Sequence, residues 1–386
     1  MHPLRHWLLV IGLILSLLYV GGISCYAKAS PMSPAPLTYD ALVAPDLEAN
    51  NKLLATPGYS ETSEYMIGNV AVGVVLLESN GAIDASTEDW TSTEESQVTN
   101  EVQAALNWWS IQNPSAGVTF TVTTNYRVPT SYEPINRPHT DQGLWISEAM
   151  NHLGYSGVNY FFQVRGYVNA LRNSAGTDWA FAMFIVDSSN DADGGFTDTT
   201  AGGWNYFAYA YIGGPFLVMT YDNDGWGINN MDRVTAHEMG HIFYATDEYD
   251  SQPEYSGYLN VQDVDDSGAL MDHNALWLST GTMGQIGWRD IDMDGIQDIV
   301  DTFPNTYLNQ YFPDPTYTFT LAYSGSVTEI PYPNNNPHGT GTALTTNTIN
   351  RVQFRIDNGA WLDANATDGA FDEATEGFTF TTPPYR

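Results

Sequence analysis

The densest chemistry in this 386-residue chain lies in Met231-Asp-Arg-Val-Thr-Ala-His237-Glu238-Met-Gly-His241-Ile-Phe-Tyr-Ala-Thr-Asp247-Glu-Tyr249. It contains His-Glu-x-x-His. On a helix that spacing projects both imidazoles from one face about one turn apart, so both can reach a single cation. Glu238 then stands beside the cation, where its carboxylate can take a proton from water. Two histidines leave a tetrahedral zinc ion short of a protein ligand. A catalytic site needs that ligand and one open position besides. Asp247 is acidic and lies past the expected break of the helix.

With Asp247 included, His-Glu-x-x-His-x-x-Tyr-x-x-Asp resembles the extended zinc motif of the metzincin metalloendopeptidases, His-Glu-x-x-His-x-x-Gly-x-x-His/Asp. The match is residue by residue at His237, Glu238, His241 and Asp247. Tyr244 stands where the family has glycine, whose φ > 0 turns the chain out of the helix at a cost to any residue with a Cβ. That departure leaves the third ligand open between Asp247 and Glu248, with Asp250 and Glu254 behind them. Met271, in Ser267-Gly-Ala-Leu-Met271, lies at a distance compatible with the methionine turn under the metal in that family.

The resemblance covers roughly residues 64 to 288. It implies a secreted zinc endopeptidase acting on protein or peptide substrates. His237, His241 and Asp247 would hold Zn2+, Glu238 would be the general base, and Met271 would form an apolar floor. It also implies an edge strand that binds substrate in extended form. The segment 208–213 is the candidate, and an ordinary core hairpin at Gly213-Gly-Pro215 is the other reading. For the whole chain the alternative is a non-catalytic cell-surface or matrix binding protein with a degenerate metal site. Tyr244 favours that alternative. Glu238 opposes it, because a structural zinc has no use for a base.

The elements that must position the motif lie upstream. Residues 65–77 are dense in valine and leucine and predict a buried strand. Thr91-x-x-Glu94 and Ser92-x-x-Glu95 each offer a capping box. Val98, Val102, Ala105, Leu106 and Trp109 then recur at helical spacing until Asn113-Pro114. Residues 117–128 predict a strand, 141–153 a helix ending near a structural or exposed His152, and 179–186 another buried strand. Strands in 209–221 would precede the motif helix. That order predicts an α/β (α+β) catalytic domain with a twisted mixed sheet and an active-site helix, and it resembles the zincin-like upper subdomain of a metzincin.

At the N-terminus a basic start, an apolar run over residues 7–20 and Ala27-Lys-Ala29 read as a signal peptide, 1–29. A lipid anchor through Cys25 is the rival, although leucine is missing where a lipoprotein signal expects it. Residues 30–63 read as a linker or short propeptide. Acidic residues outnumber basic ones 45 to 12, for a net charge of −33, which makes nucleic acid and anionic membranes poor partners. No stable membrane insertion is expected. Charged residues make up only 15% and aromatics reach 13%, so the excess does not signal disorder.

Beyond the motif, Asp290-x-Asp292-x-Asp294-Gly-x-x-Asp298-x-x-Asp301 places hard oxygen donors around a glycine turn, as Ca2+ requires. The loop resembles those of thrombospondin type 3 repeats and falls in a linker, 289–314. Asp187–Asp193 and Asp222–Asp224 are calcium loops or solvated turns. Residues 315–386 alternate as short strands between Asn/Pro/Gly turns and predict a small β-sandwich-like domain. Residues 352–361 are similar to immunoglobulin-like accessory modules.

Overall fold

The computed structural model describes residues 23–30, 56–199, 205–249, 252–312 and 320–384. The apolar run of the expected signal peptide, most of the expected linker, and Asp250 lie outside these. In chain order the first elements are β1 (Ile23–Ser30), β2 (Asn69–Ser79), α1 (Ser92–Gln112), β3 (Thr119–Thr130), α2 (Gln142–His152) and α3 (Tyr160–Ala175). They are followed by β4 (Trp179–Val186), β5 (Ala208–Ala210), β6 (Phe216–Thr220) and α4 (Met231–Ile242). Five strands make one mixed sheet in the order β3-β2-β4-β6-β5, parallel except for β5 at the edge.

The apolar runs of β2 and β4 follow from burial on both faces, because a parallel sheet must be covered on each side. Val70, Val72, Val74 and Leu76 join Val98, Val102, Leu106 and Trp109 of α1 and Val234, Ala236 and Met239 of α4. The alternate residues Ala71, Val75 and Leu77 join Trp145, Ile146, Ala149 and Met150 of α2 and Val164 and Val168 of α3. Alternation along the strand thus assigns one helix pair to each face. Thr91 caps α1 with the expected reciprocal box through Glu94. The class is therefore mixed α+β, with helices on both sides of the sheet.

α3 has no counterpart among the expected elements. Its buried face carries Gln163, Asn169 and Arg172, so the apolar periodicity is broken. The Arg172 guanidinium donates to the carbonyls of Gly58 (2.7 Å) and Glu61 (2.7 Å). The folded body therefore includes residues 58–63, which sequence alone assigned to the linker.

After α4 come the short hairpin β7 (Tyr255–Ser256) and β8 (Val261–Gln262), then α5 (Leu270–His273) and α6 (Thr280–Gln285). The C-terminal strands are β9 (Asn305–Leu308), β10 (Ala322–Thr328), β11 (Thr348–Ile356), β12 (Leu362–Asp363), β13 (Asn365–Ala366) and β14 (Thr375–Thr381). They form two antiparallel sheets, β13-β14-β10-β9 and β1-β11-β12. Val327, Ile349, Val352, Phe354, Phe378 and Phe380 fill the space between them, as in a sandwich. β1 pairs with β11 from Ile23 opposite Ile356 to Ser30 opposite Thr348. A cut after Ala29 would remove all of β1 except Ser30. No helix among the described residues is long and apolar enough to cross a membrane.

Candidate metal centre

α4 begins after a tight run in which Asn223, Asp224, Gly225 and Gly227 all have positive φ. From Val234 to Ile242 every residue of the helix is buried. Trp109 Nε1 donates to the Ala236 carbonyl (3.1 Å), fastening α4 to α1. His237 and His241 share the remaining face, with ring centroids 4.9 Å apart.

Each imidazole is oriented by a backbone carbonyl. His237 Nδ1 lies 2.9 Å from the Leu270 oxygen, and His241 Nδ1 lies 2.8 Å from the Ala245 oxygen. In the neutral ring, a proton on Nδ1 satisfies each carbonyl and leaves Nε2 with a lone pair for a metal. Both Nε2 atoms approach Asp247 Oδ1, at 3.2 and 3.4 Å. These approaches lack hydrogen-bond geometry, so Asp247 Oδ1 is buried without a hydrogen bond, and so is Glu238 Oε2. Three donor atoms facing a shared point instead of each other, with a second carboxylate beside them, are what a tetrahedral cation would satisfy. The residues present fit zinc.

The charges are tightly linked. Burial disfavours a charged His241, but the Asp247 charge and contact outweigh it and lift the imidazole to about 9. Burial pushes the Asp247 carboxyl up, and the two histidines more than reverse this, holding it below the ordinary carboxylate range. Burial raises the Glu238 carboxyl, against the pull of His241 and His237.

Tyr244 takes φ 64° and is fully buried. It therefore occupies the left-handed position that glycine would hold. Its N–H donates to the His241 carbonyl (3.0 Å) and the Ala245 N–H to the Gly240 carbonyl (2.9 Å), closing the helix. Beyond Tyr244 the two adjacent acids go to opposite sides. Asp247 goes to the two histidines. Glu248 goes into the interior, where its carboxylate accepts from Ser267 Oγ (2.5 Å), Thr282 Oγ1 (2.9 Å) and Ser279 Oγ. Its N–H donates to the Met271 carbonyl (2.9 Å). Glu248 is thus an anchor, and among the described residues Asp247 is the acid that the histidines meet. Glu254 is not part of the cluster.

Met271 is fully buried in α5. A Cβ on Gly240 would lie 2.5 Å from its sulfur, so the thioether packs directly on the helix beside His241. His273 is 72% exposed and pairs with Asp272. His152 is exposed.

Several neighbours of the site were not singled out in the sequence. Tyr249 Oη donates to Asp247 Oδ2 (2.8 Å), the oxygen turned away from the histidines. Gly240 could have been noticed as a glycine inside a helical pattern. On the edge-strand side, the Gly213 N–H donates to the His241 carbonyl (2.8 Å). The Tyr209 hydroxyl of β5 is buried without a hydrogen bond. Its pKa is raised, first by burial and also by the charges of Asp198 and Glu238. Asp198 in turn holds His139 Nδ1 (2.5 Å), whose ring stacks on Tyr206. Nothing in the spacing of these residues links them before folding.

In the acidic loop, carboxylate oxygens of Asp290, Asp292 and Asp294 come within 4.8 Å of one another. Met293 and Gly295 turn the chain with φ of 61° and 92°. Asp301 lies close enough that these carboxylates, after burial, raise its pKa. Asp298 is turned to Arg289 Nε (2.6 Å) and the Ile291 N–H (2.9 Å) instead. Compared with known proteins, the chain matches no family model and no curated protein.

Proposed function

We propose that this chain is a secreted, metzincin-like zinc endopeptidase with a zincin-like catalytic fold. The observation that carries the reading is the convergence of His237 Nε2, His241 Nε2 and Asp247 Oδ1 in a buried site, with the unpartnered Glu238 Oε2 beside them. These three residues would hold zinc, which when bound supplies Lewis acidity toward a peptide carbonyl and lowers the pKa of water. Glu238 would take the proton from water as the C–O bond forms and then deliver it to the amine nitrogen, which leaves as the C–N bond breaks. Asp247 neutralises part of the charge of the site, and the carbonyls of Leu270 and Ala245 keep both histidines in the ligating tautomer.

Among the described residues β5 is the last strand of the sheet and lies next to α4, which supports extended binding of a peptide substrate through backbone hydrogen bonds. Asp290, Asp292 and Asp294, with Asp301 close by, would take calcium and stiffen the join to the C-terminal sandwich. That Tyr244 takes the left-handed turn glycine would hold supports the catalytic reading over the degenerate-site alternative.

The test is cleavage of a mixed-peptide library by the full chain and by Glu238→Ala, both loaded with zinc and calcium. The expected result is internal cleavage by the first, reduced at least ~100-fold in the second by removal of a general base. Two zinc-loaded proteins that leave the library intact would remove the enzyme reading.

A further inference from the structure

Residues 58–66 straddle the end of the expected linker, yet they are built into the catalytic body along their length. The Tyr59 carbonyl accepts from Asn169 Nδ2 (2.8 Å), beside the two carbonyls that Arg172 holds. The Thr62 carbonyl accepts from the Ala180 N–H of β4 (3.1 Å), and the Met66 N–H donates to the Ile286 carbonyl just past α6 (2.8 Å). The Trp288 indole N–H donates to the Met66 carbonyl. Thr62, Ser63, Glu64, Tyr65 and Met66 are each no more than 2% exposed.

One side chain of this run reaches the turn that follows β5. Ser63 Oγ donates to the Gly213 carbonyl (3.2 Å). Gly213 in turn donates its N–H to the His241 carbonyl (2.8 Å). Gly213 and Gly214 take φ of 81° and 79°, and a Cβ on Gly214 would lie 2.9 Å from Ser63 Oγ, so the serine lies directly on the turn. Gly213 is thus gripped at both of its polar groups, by the N-terminal run on one side and by α4 on the other.

The position of the acceptor on α4 gives this relay its consequence. A helix leaves the carbonyls of its last turn without partners inside it, and His241 stands in that turn. Its carbonyl takes the Tyr244 N–H at 3.0 Å and the Gly213 N–H from outside the helix. The backbone of a candidate zinc ligand is therefore held by two bonds. One comes from within the motif, and the other is backed by Ser63.

We propose that residues 58–66 are a brace of the metal centre. Through Ser63 and Gly213, the brace fixes the last turn of α4, from which His241 and, past Tyr244, Asp247 are presented. Ser63 is then a positioning residue, and any proteolytic maturation of the chain has to cut before Gly58. The inference rests on the zinc reading above.

The experiment compares the unaltered full chain with Ser63→Ala, which alters no ligand. Zinc affinity is measured by competition with a chromogenic chelator, and the melting temperature is measured without metal. Exchange of the Gly213 amide in the metal-free proteins is followed beside that of β2. The expected result is zinc binding weakened about fivefold, as for the loss of one hydrogen bond, with exchange faster at Gly213 and unchanged in β2. Limited proteolysis of the full chain should give zinc-binding products that begin no later than Gly58. Zinc binding by the unaltered chain with equal affinity in Ser63→Ala overturns the brace and leaves the zinc site standing. A lower melting temperature without weaker zinc binding also overturns it, since that is a purely structural contribution. A product that starts within residues 59–66 and binds zinc as the full chain does overturns it too. Failure of the unaltered chain to bind zinc overturns both readings. If Ser63→Ala does not fold, Ser63→Cys, which nearly keeps the size and donates only weakly, decides.

Discussion

Tyr249→Phe removes the hydrogen bond that engages Asp247 at the candidate metal centre. The phenol donates at 2.8 Å to Asp247 Oδ2, leaving Oδ1 to face His237 and His241. A hydrogen bond to a charged acceptor contributes about 1.5–3 kcal/mol. Tyr249 is 60% exposed, so water replaces part of that when the hydroxyl is lost. About 1 kcal/mol remains, which is roughly a fivefold change in an equilibrium constant. The ring stays, so packing changes little. Zinc affinity from chelator competition should therefore fall about fivefold, while the melting temperature of the metal-free protein stays close to that of the parent. Unchanged zinc affinity would refute the argument, because Asp247 would then be held without its outer oxygen being engaged.

Three further outcomes follow from other parts of the structure. Gly240→Ala should gain about 1 kcal/mol of helix propensity but lose about 1–3 to overpacking, because the new Cβ would lie 2.5 Å from Met271 Sδ. Denaturant unfolding should show a net loss that disappears in a Met271→Ala background; a stabilised single variant would rule out the tight contact. Burial lifts Asp178 to about 7, against the Asn69 N–H and Arg172. Its folded pKa lies above the unfolded one, so its share of stability is present in acid and is lost as pH rises toward 7. Asp178→Asn should thus raise the melting temperature more at about pH 8 than at about pH 5, and an equal change at both would contradict the linkage. Calcium at ~100 times its dissociation constant should add about 2.7 kcal/mol of stability. Asp294→Ala should lose that gain, and a calcium response that survives the substitution would place the ion elsewhere.

Much of the centre was legible in the sequence because its information is local. Helical spacing alone brings His237 and His241 to one face. The capping box at Thr91 and the apolar runs of β2 and β4 likewise announce themselves over a few residues. What stayed hidden was non-local or polar. α3 carries Gln163, Asn169 and Arg172 on its buried side, so no apolar stripe marks it. Residues 58–63 look like linker until Arg172 meets their carbonyls.

The choice between Asp247 and Glu248 could not be made from order along the chain, since both are acidic and adjacent. It was decided by the turn at Tyr244 and by the hydroxyls of Ser267, Ser279 and Thr282, which take Glu248 inward. The sequence determined the chemistry on offer: two imidazoles, a base, a third acid and a methionine. Tertiary structure decided which acid faces the histidines and that Met271 lies on Gly240. Those pairings join residues far apart in the chain, and only packing brings them within the few ångströms over which hydrogen bonds and metal ligation act.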